Sequence, residues 1–149
     1  MTLTLRSAIL SASIGKASGL RSSVGISAFL MTRFVGTGYG RLAVGASVIA
    51  TGGELVGDKL PSTPSRLDPA PLGGRIVAGG AAAYAIARRR GDEPIPALLI
   101  GGVSALAGSY AGAAYRKWTT GKVPPIAAAV VEDVAALAIG AVVVGTVLD

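Results

Sequence analysis

The chain contains no cysteine and no histidine. Disulfides are therefore excluded, as are thiolate or imidazole metal sites and any Ser–His or Cys–His nucleophile. Without cysteine, the sequence carries no mark of redox compartment. Aromatic residues are scarce, with two Phe, one Trp and four Tyr. No ladder of aromatics lies between the cations to stack nucleic-acid bases, so a net charge of +6 is not read as a nucleic-acid surface. Charged residues make up 15% of the chain, against roughly 25% in soluble domains. A soluble core would want more Phe and Leu than this sequence offers.

What the chain has instead is small and apolar. Hydrophobic residues are 51%, and glycine is 22 of 149 residues, about twice ordinary usage. Small residues suit helices that pack backbone to backbone in lipid, where close contact rather than water exclusion holds them together. The expected fold is an all-α, glycine-rich, polytopic transmembrane bundle forming a single integral membrane domain over 1–149. Its partners are the lipid bilayer and either further copies of itself or a larger membrane complex. No cofactor or metal is expected. Arg6 is followed by a serine-broken apolar run, and the small-residue site at Ser11-Ala12-Ser13 comes too early for a cleavable signal peptide.

Five candidate spans follow in order, over 8–31, 39–58, 72–87, 96–115 and 126–148. The first is the most polar. Six serines interrupt it, and Lys16 and Arg21 lie inside it. It is read as a polar, inward-facing crossing with a discontinuity near Gly15–Gly19. The alternative is an amphipathic helix lying on the membrane surface, which would leave four spans. Gly15 with Gly19, and Gly108 with Gly112, form small-xxx-small faces for helix contact. The glycine-rich stretch 32–41 is a connecting turn; as a phosphate cradle it lacks the Lys-Ser/Thr of a P-loop and a preceding strand. Four prolines within 61–71 mark an extended loop. The third span, about 24 Å of helix, is short for a hydrocarbon core of roughly 30 Å. Arg88-Arg89-Arg90 stops it as a topological anchor. Arg116, Lys117 and Trp118 end the fourth span at an interface.

The charges inside these spans fall on one side. If alternate spans run in opposite directions, then Glu54, Asp58, Arg75, Arg116, Glu132 and Asp133 share the N-terminal half of the membrane, with Lys16 and Arg21 nearby. That gives four acids against four bases. Ionised groups at membrane depth are costly unless paired. Glu54 and Asp58, one helical turn apart, are expected within hydrogen-bonding reach of a base from another helix, Arg21 first and Arg116 next. Two roles suit such a cluster. It can bind or pass a small ion or polar solute, or it can act as interhelical salt bridges in a structural or assembly component. An enzyme is not expected, because no nucleophile, metal set or cofactor motif accompanies the acids. An inverted repeat is disfavoured, since it would place corresponding charges in opposite leaflets. Flanking cations number five on each side, so they do not fix orientation.

Several short motifs resemble one family. They are Gly19-Leu20-Arg21-Ser22, then Glu54-x-x-x-Asp58-Lys59-x-Pro61, then Arg75 opening the third span, and Val131-Glu132-Asp133 in the last. Together they resemble the small bacterial membrane proteins grouped as the domain-of-unknown-function 4126 family, over nearly the whole chain. The resemblance implies a multi-pass protein of the bacterial cytoplasmic (inner) membrane. It brings no established activity and no catalytic residues.

Overall fold

The computed structural model describes residues 2–57 and 65–149. Within them the chain forms six α-helices and no strand. These are α1 (Leu5–Leu20), α2 (Ser22–Phe34), α3 (Gly40–Gly57), α4 (Pro69–Arg90), α5 (Pro94–Thr119) and α6 (Pro125–Leu148). The first expected span is instead two helices that reverse direction at Arg21, not one crossing broken near Gly15–Gly19: Ser7 of α1 and Thr32 of α2 both lie at the C-terminal end of α4, against Asp92 and Arg89. The third segment is longer than its apolar run. With 22 residues, α4 reaches about 33 Å. Among the described residues two helices, Pro94–Thr119 and Pro125–Leu148, are long and apolar enough to cross a membrane. The other four fall short by length, charge or composition, so the expectation of five spans is met only to that extent.

Local chemistry sets the helix ends. Pro69, Pro94 and Pro125 stand at the starts of α4, α5 and α6, where the missing N–H has no intrahelical partner to lose. At the start of α1, Thr4 accepts a hydrogen bond from the Ser7 amide at 3.3 Å. Gly91, at φ 75°, closes α4 in the left-handed conformation, and the Asp92 amide reaches back to the Ala87 carbonyl at 2.9 Å. Between α2 and α3, Thr37 and Gly40 donate backbone hydrogen bonds to Phe34 and Thr37, so this glycine-rich stretch is a tight turn.

Helices α1, α4 and α5 form the tightest part of the bundle. Their contact is made of backbone. A Cβ at Gly15 would stand 2.3 Å from the Gly101 carbonyl oxygen, and one at Gly19 would stand 2.1 Å from that of Ala105. From the other side, a Cβ at Gly108 would stand 2.4 Å from the Lys16 carbonyl oxygen. Around this seam lie Ala17, Ala82, Ala83 and Ala105, with Ile14 and Ile86 as the large aliphatic side chains that are fully buried. Helix α2 packs on α4 and carries α3, whose backbone approaches no other helix among the described residues; α6 lies across α1 and α2. Large apolar side chains point outward instead, among them Leu42, Ile49, Val103, Ile126 and Val142. The bundle is therefore small-residue inside and aliphatic outside.

A further contact ties the start of α1 to the α4–α5 turn. Asp92 accepts hydrogen bonds from Ser7 and Thr4, and Arg90 donates to the Ser7 hydroxyl at 2.8 Å. The Ser7 hydroxyl foremost, then that of Thr4 and the Arg90 guanidinium, hold the Asp92 carboxyl below its ordinary value. A group depressed in this way contributes stability above its unfolded pKa and loses it as pH falls through the folded one.

Two outcomes are expected. Gly108→Ala should destabilise the purified protein by about 1–3 kcal/mol through overpacking. Gly45→Ala, where the added carbon meets nothing within 4 Å, should be neutral or stabilising. Thermal unfolding in detergent compares the two, and equal losses would refute the backbone seam. Asp92→Asn should weaken the protein at neutral pH yet flatten its loss of stability in acid. Parallel pH profiles for wild type and variant would rule out Asp92 as the anchor.

Candidate functional site: an arginine–acid network at a broken helix

The site is built around Arg21. Its backbone is extended, at φ −141° and ψ 118°, and it serves at once as C-cap of α1 and N-cap of α2. One extended residue interrupts the hydrogen-bond ladder and strands the groups on either side. Neighbouring helices supply their partners. Arg75 of α4 donates through Nη1 to the carbonyls of Gly19 and Leu20, at 2.8 and 2.6 Å. Ser109 of α5 adds its hydroxyl to the Gly19 carbonyl at 3.1 Å. On the other side, Glu54 of α3 accepts from the amides of Ser22 and Ser23, at 3.0 and 2.8 Å, and from the Ser22 hydroxyl at 2.8 Å.

The signs of these charges follow the helix ends. The carboxylate faces the N-terminus of α2, where the helix dipole is positive, and the guanidinium faces the C-terminus of α1, where it is negative. The two then meet each other, with Arg75 Nη2 at 3.6 Å from Glu54 Oε1. Ser18 ties in as well, donating to the Arg75 carbonyl at 3.0 Å.

The Arg21 side chain extends the network to α6. Its Nε lies 2.5 Å from Asp133 Oδ1, and its Nη1 lies 3.9 Å from Glu54 Oε2. Asp133 and Glu132 are consecutive on α6, so they point about 100° apart and take different partners. Glu132 is buried and accepts from Arg66 and Arg116; the Arg116 Nε contact is 2.8 Å and the Arg66 Nη2 contact is 3.2 Å. Gly112 makes room for this pair, since a Cβ there would stand 2.3 Å from Arg66 Nη1 and 2.8 Å from Glu132 Oε1.

Of the eight expected cluster residues, six converge here: Arg21, Glu54, Arg75, Arg116, Glu132 and Asp133. Asp58 lies outside the described residues. Lys16 does not belong to the cluster. It is exposed on α1 and makes no ion pair among the described residues, because it is the backbone of Lys16, not its side chain, that meets α5 at Gly108. Gly15, Gly19 and Gly108 lie on the α1–α5 contact, and Gly112 lies against the Arg66–Glu132 pair. Sequence reasoning misses Arg66, which stands in the proline-rich stretch 61–71 outside the candidate spans. It also misses the backbone groups of residues 19–23 as ligands of the charges. The run Ser22-Ser23 after a helical stretch was the available signal, since serines favour helix N-termini.

Chemically, this arrangement holds charge rather than moves protons. Arginine does not release its proton in proteins, and Glu54, Glu132 and Asp133 are each engaged by guanidinium or amide donors. Among the described residues, no group of three metal-ligating side chains converges. No protein-family model, curated protein or solved structure matches the chain. The family resemblance therefore rests on the short motifs alone.

The two arginines on Glu132 should not contribute equally. Glu132→Gln leaves Arg66 and Arg116 without their shared carboxylate, and breaking a buried pair in this way costs about 3–5 kcal/mol. Arg116 is the more exposed partner, at 39% against 11% for Arg66. Arg116→Gln should therefore cost well under half as much. Unfolding in detergent of the two variants measures the difference; an equal loss would show that Arg66 does not hold Glu132.

Proposed function

We propose that this chain is a multi-pass helical membrane protein in which α1 and α2 form a hairpin that turns at Arg21, with the start of α1 and the end of α2 together at the C-terminal end of α4. Its role is that of a structural or assembly component, and the arginine–acid network braces the break. The observation that carries this reading is the complete engagement of Glu54 and Glu132. Both oxygens of each carboxylate accept from protein donors, so neither is left to bind a solute. The outward-facing aliphatic side chains support a lipid setting. Helix α3 supports assembly with further copies or a larger complex. Among the described residues its backbone leans on α2 alone, with Glu54 reaching Arg75 of α4, and a Cβ at Gly45, Gly52 or Gly53 would meet nothing within 4 Å. The bacterial inner membrane is the setting that the family resemblance implies.

A second reading is favoured by the break itself. Helix ends that face the cargo are the usual frame of ion and solute sites in transporters. On this reading Glu54 and Arg75 occupy the helix ends between turnovers and yield them to a small ion or polar solute.

One pair of measurements separates the two. Wild type and Glu54→Gln are compared for stability in detergent and for ion or solute flux in reconstituted vesicles. The substitution keeps the shape of the side chain but removes its charge. As a brace, the variant should lose about 3–5 kcal/mol of stability, and wild type should carry no flux. Wild-type flux that vanishes in a stably folded Glu54→Gln variant would establish the second reading instead.

A further inference from the structure

The opposite end of the molecule places three arginines around a cavity whose lining holds no acid. A cavity of about 530 Å³ opens between the C-terminal ends of α2 and α4, lined by Phe29, Thr32, Arg33, Tyr84, Arg88 and Arg89. Arg89 is anchored there. Its Nη1 donates to the carbonyls of Thr32 and Val35, at 2.9 and 3.2 Å, and so closes the end of α2. Arg33 rests over the Phe34 ring, 5.6 Å from its centroid, and both Arg33 and Arg88 are exposed. None of these three guanidiniums forms an ion pair among the described residues. The nearby acid Asp92 is occupied by Arg90, Ser7 and Thr4. The Thr32 hydroxyl is buried and makes no hydrogen bond among the described residues.

We infer that this cavity is a binding site for a phosphate-bearing anion, borne either by a lipid headgroup or by a small soluble phosphate. Three like charges around one cavity repel one another, and an anion between them relieves that repulsion. Guanidinium forks match phosphate oxygens in pairs, which an ammonium does not reproduce. Tyr84 and Thr32 add hydroxyl donors. Phe29 gives the cavity an apolar wall, suited to the glycerol and upper acyl carbons behind a phosphate. The site stands apart from the arginine–acid network and needs no part of the function proposed above. An arginine cluster at a helix end also serves as a topological anchor through diffuse attraction to a charged surface. Geometry separates the two: diffuse attraction depends on charge alone, a built site on the forks.

The test uses the full chain purified in mild detergent. Inorganic phosphate, short-chain phosphatidylglycerol and short-chain phosphatidylcholine are each titrated, with binding read from the rise in melting temperature and, for the lipids, from native mass spectrometry. Wild type should bind phosphatidylglycerol in preference to phosphatidylcholine, or bind inorganic phosphate. The first outcome identifies a lipid headgroup, the second a soluble phosphate. The charge-conserving pair Arg33→Lys with Arg88→Lys should weaken that binding by about tenfold or more. Arg89 is left intact because it closes α2. Lys117→Gln, on exposed surface elsewhere, should bind as wild type does. Binding by the lysine pair within about twofold of wild type, or no binding of either phosphate probe by wild type, would overturn the inference.

Discussion

The structure turns on the backbone groups released where the helix breaks at Arg21. A buried amide or carbonyl without a partner costs about 1–3 kcal/mol, and the break strands several of them together. Between packed helices, other parts of the chain supply the partners. Glu54 and Arg75 do so as ions, each matched to the dipole of the helix end it faces. Two ions brought to one place also need each other, and they pair. Arg21, at the break, reaches Asp133 on α6. Ser109 brings in α5. One extended residue thus draws a contribution from every helix of the bundle.

Such an arrangement is possible only if backbones come close, and glycine and alanine provide that. At the α1–α4–α5 seam, carbonyl oxygens occupy the places where side chains would otherwise stand. The stabilisation there comes from dispersion over closely spaced atoms rather than from large buried side chains. The consequence is an outer surface of Leu, Ile and Val. In water that surface would favour aggregation; against lipid it costs nothing, which is why the packing and the proposed setting support each other.

The two ends of the bundle treat arginine differently. At the Arg21 end, Arg21, Arg66, Arg75 and Arg116 each meet a carboxylate. At the other end, Arg33, Arg88 and Arg89 share a cavity with none. An even count of flanking cations on the two sides hides this contrast, because it records charge and not whether charge is neutralised. The first set is closed on itself and rigid in purpose. The second is open, and that openness is what suits it to an external anion.

By itself, the sequence determined the helical class, the approximate places of the later helices and that most of the charges would meet, though not that they meet at the end away from the start of α1. Those follow from short-range physics: apolar runs of helical length, prolines at helix starts, and the cost of an ion in an apolar segment that has no partner. The glycine pairs of α1 and α5 were legible for the same reason, since spacing on a helix fixes which residues share a face. Only the tertiary structure decided where the first segment breaks, because an extended residue at Arg21 is tolerable solely when Glu54 and Arg75, distant in sequence, arrive to satisfy what it releases. Only the tertiary structure removed Lys16 from the cluster and added Arg66. A side chain's place depends on which face of its helix meets a neighbour, and for Arg66 on where the turn just before α4 stands relative to Gly112 of α5 and Glu132 of α6. The chain's local pattern specifies neither.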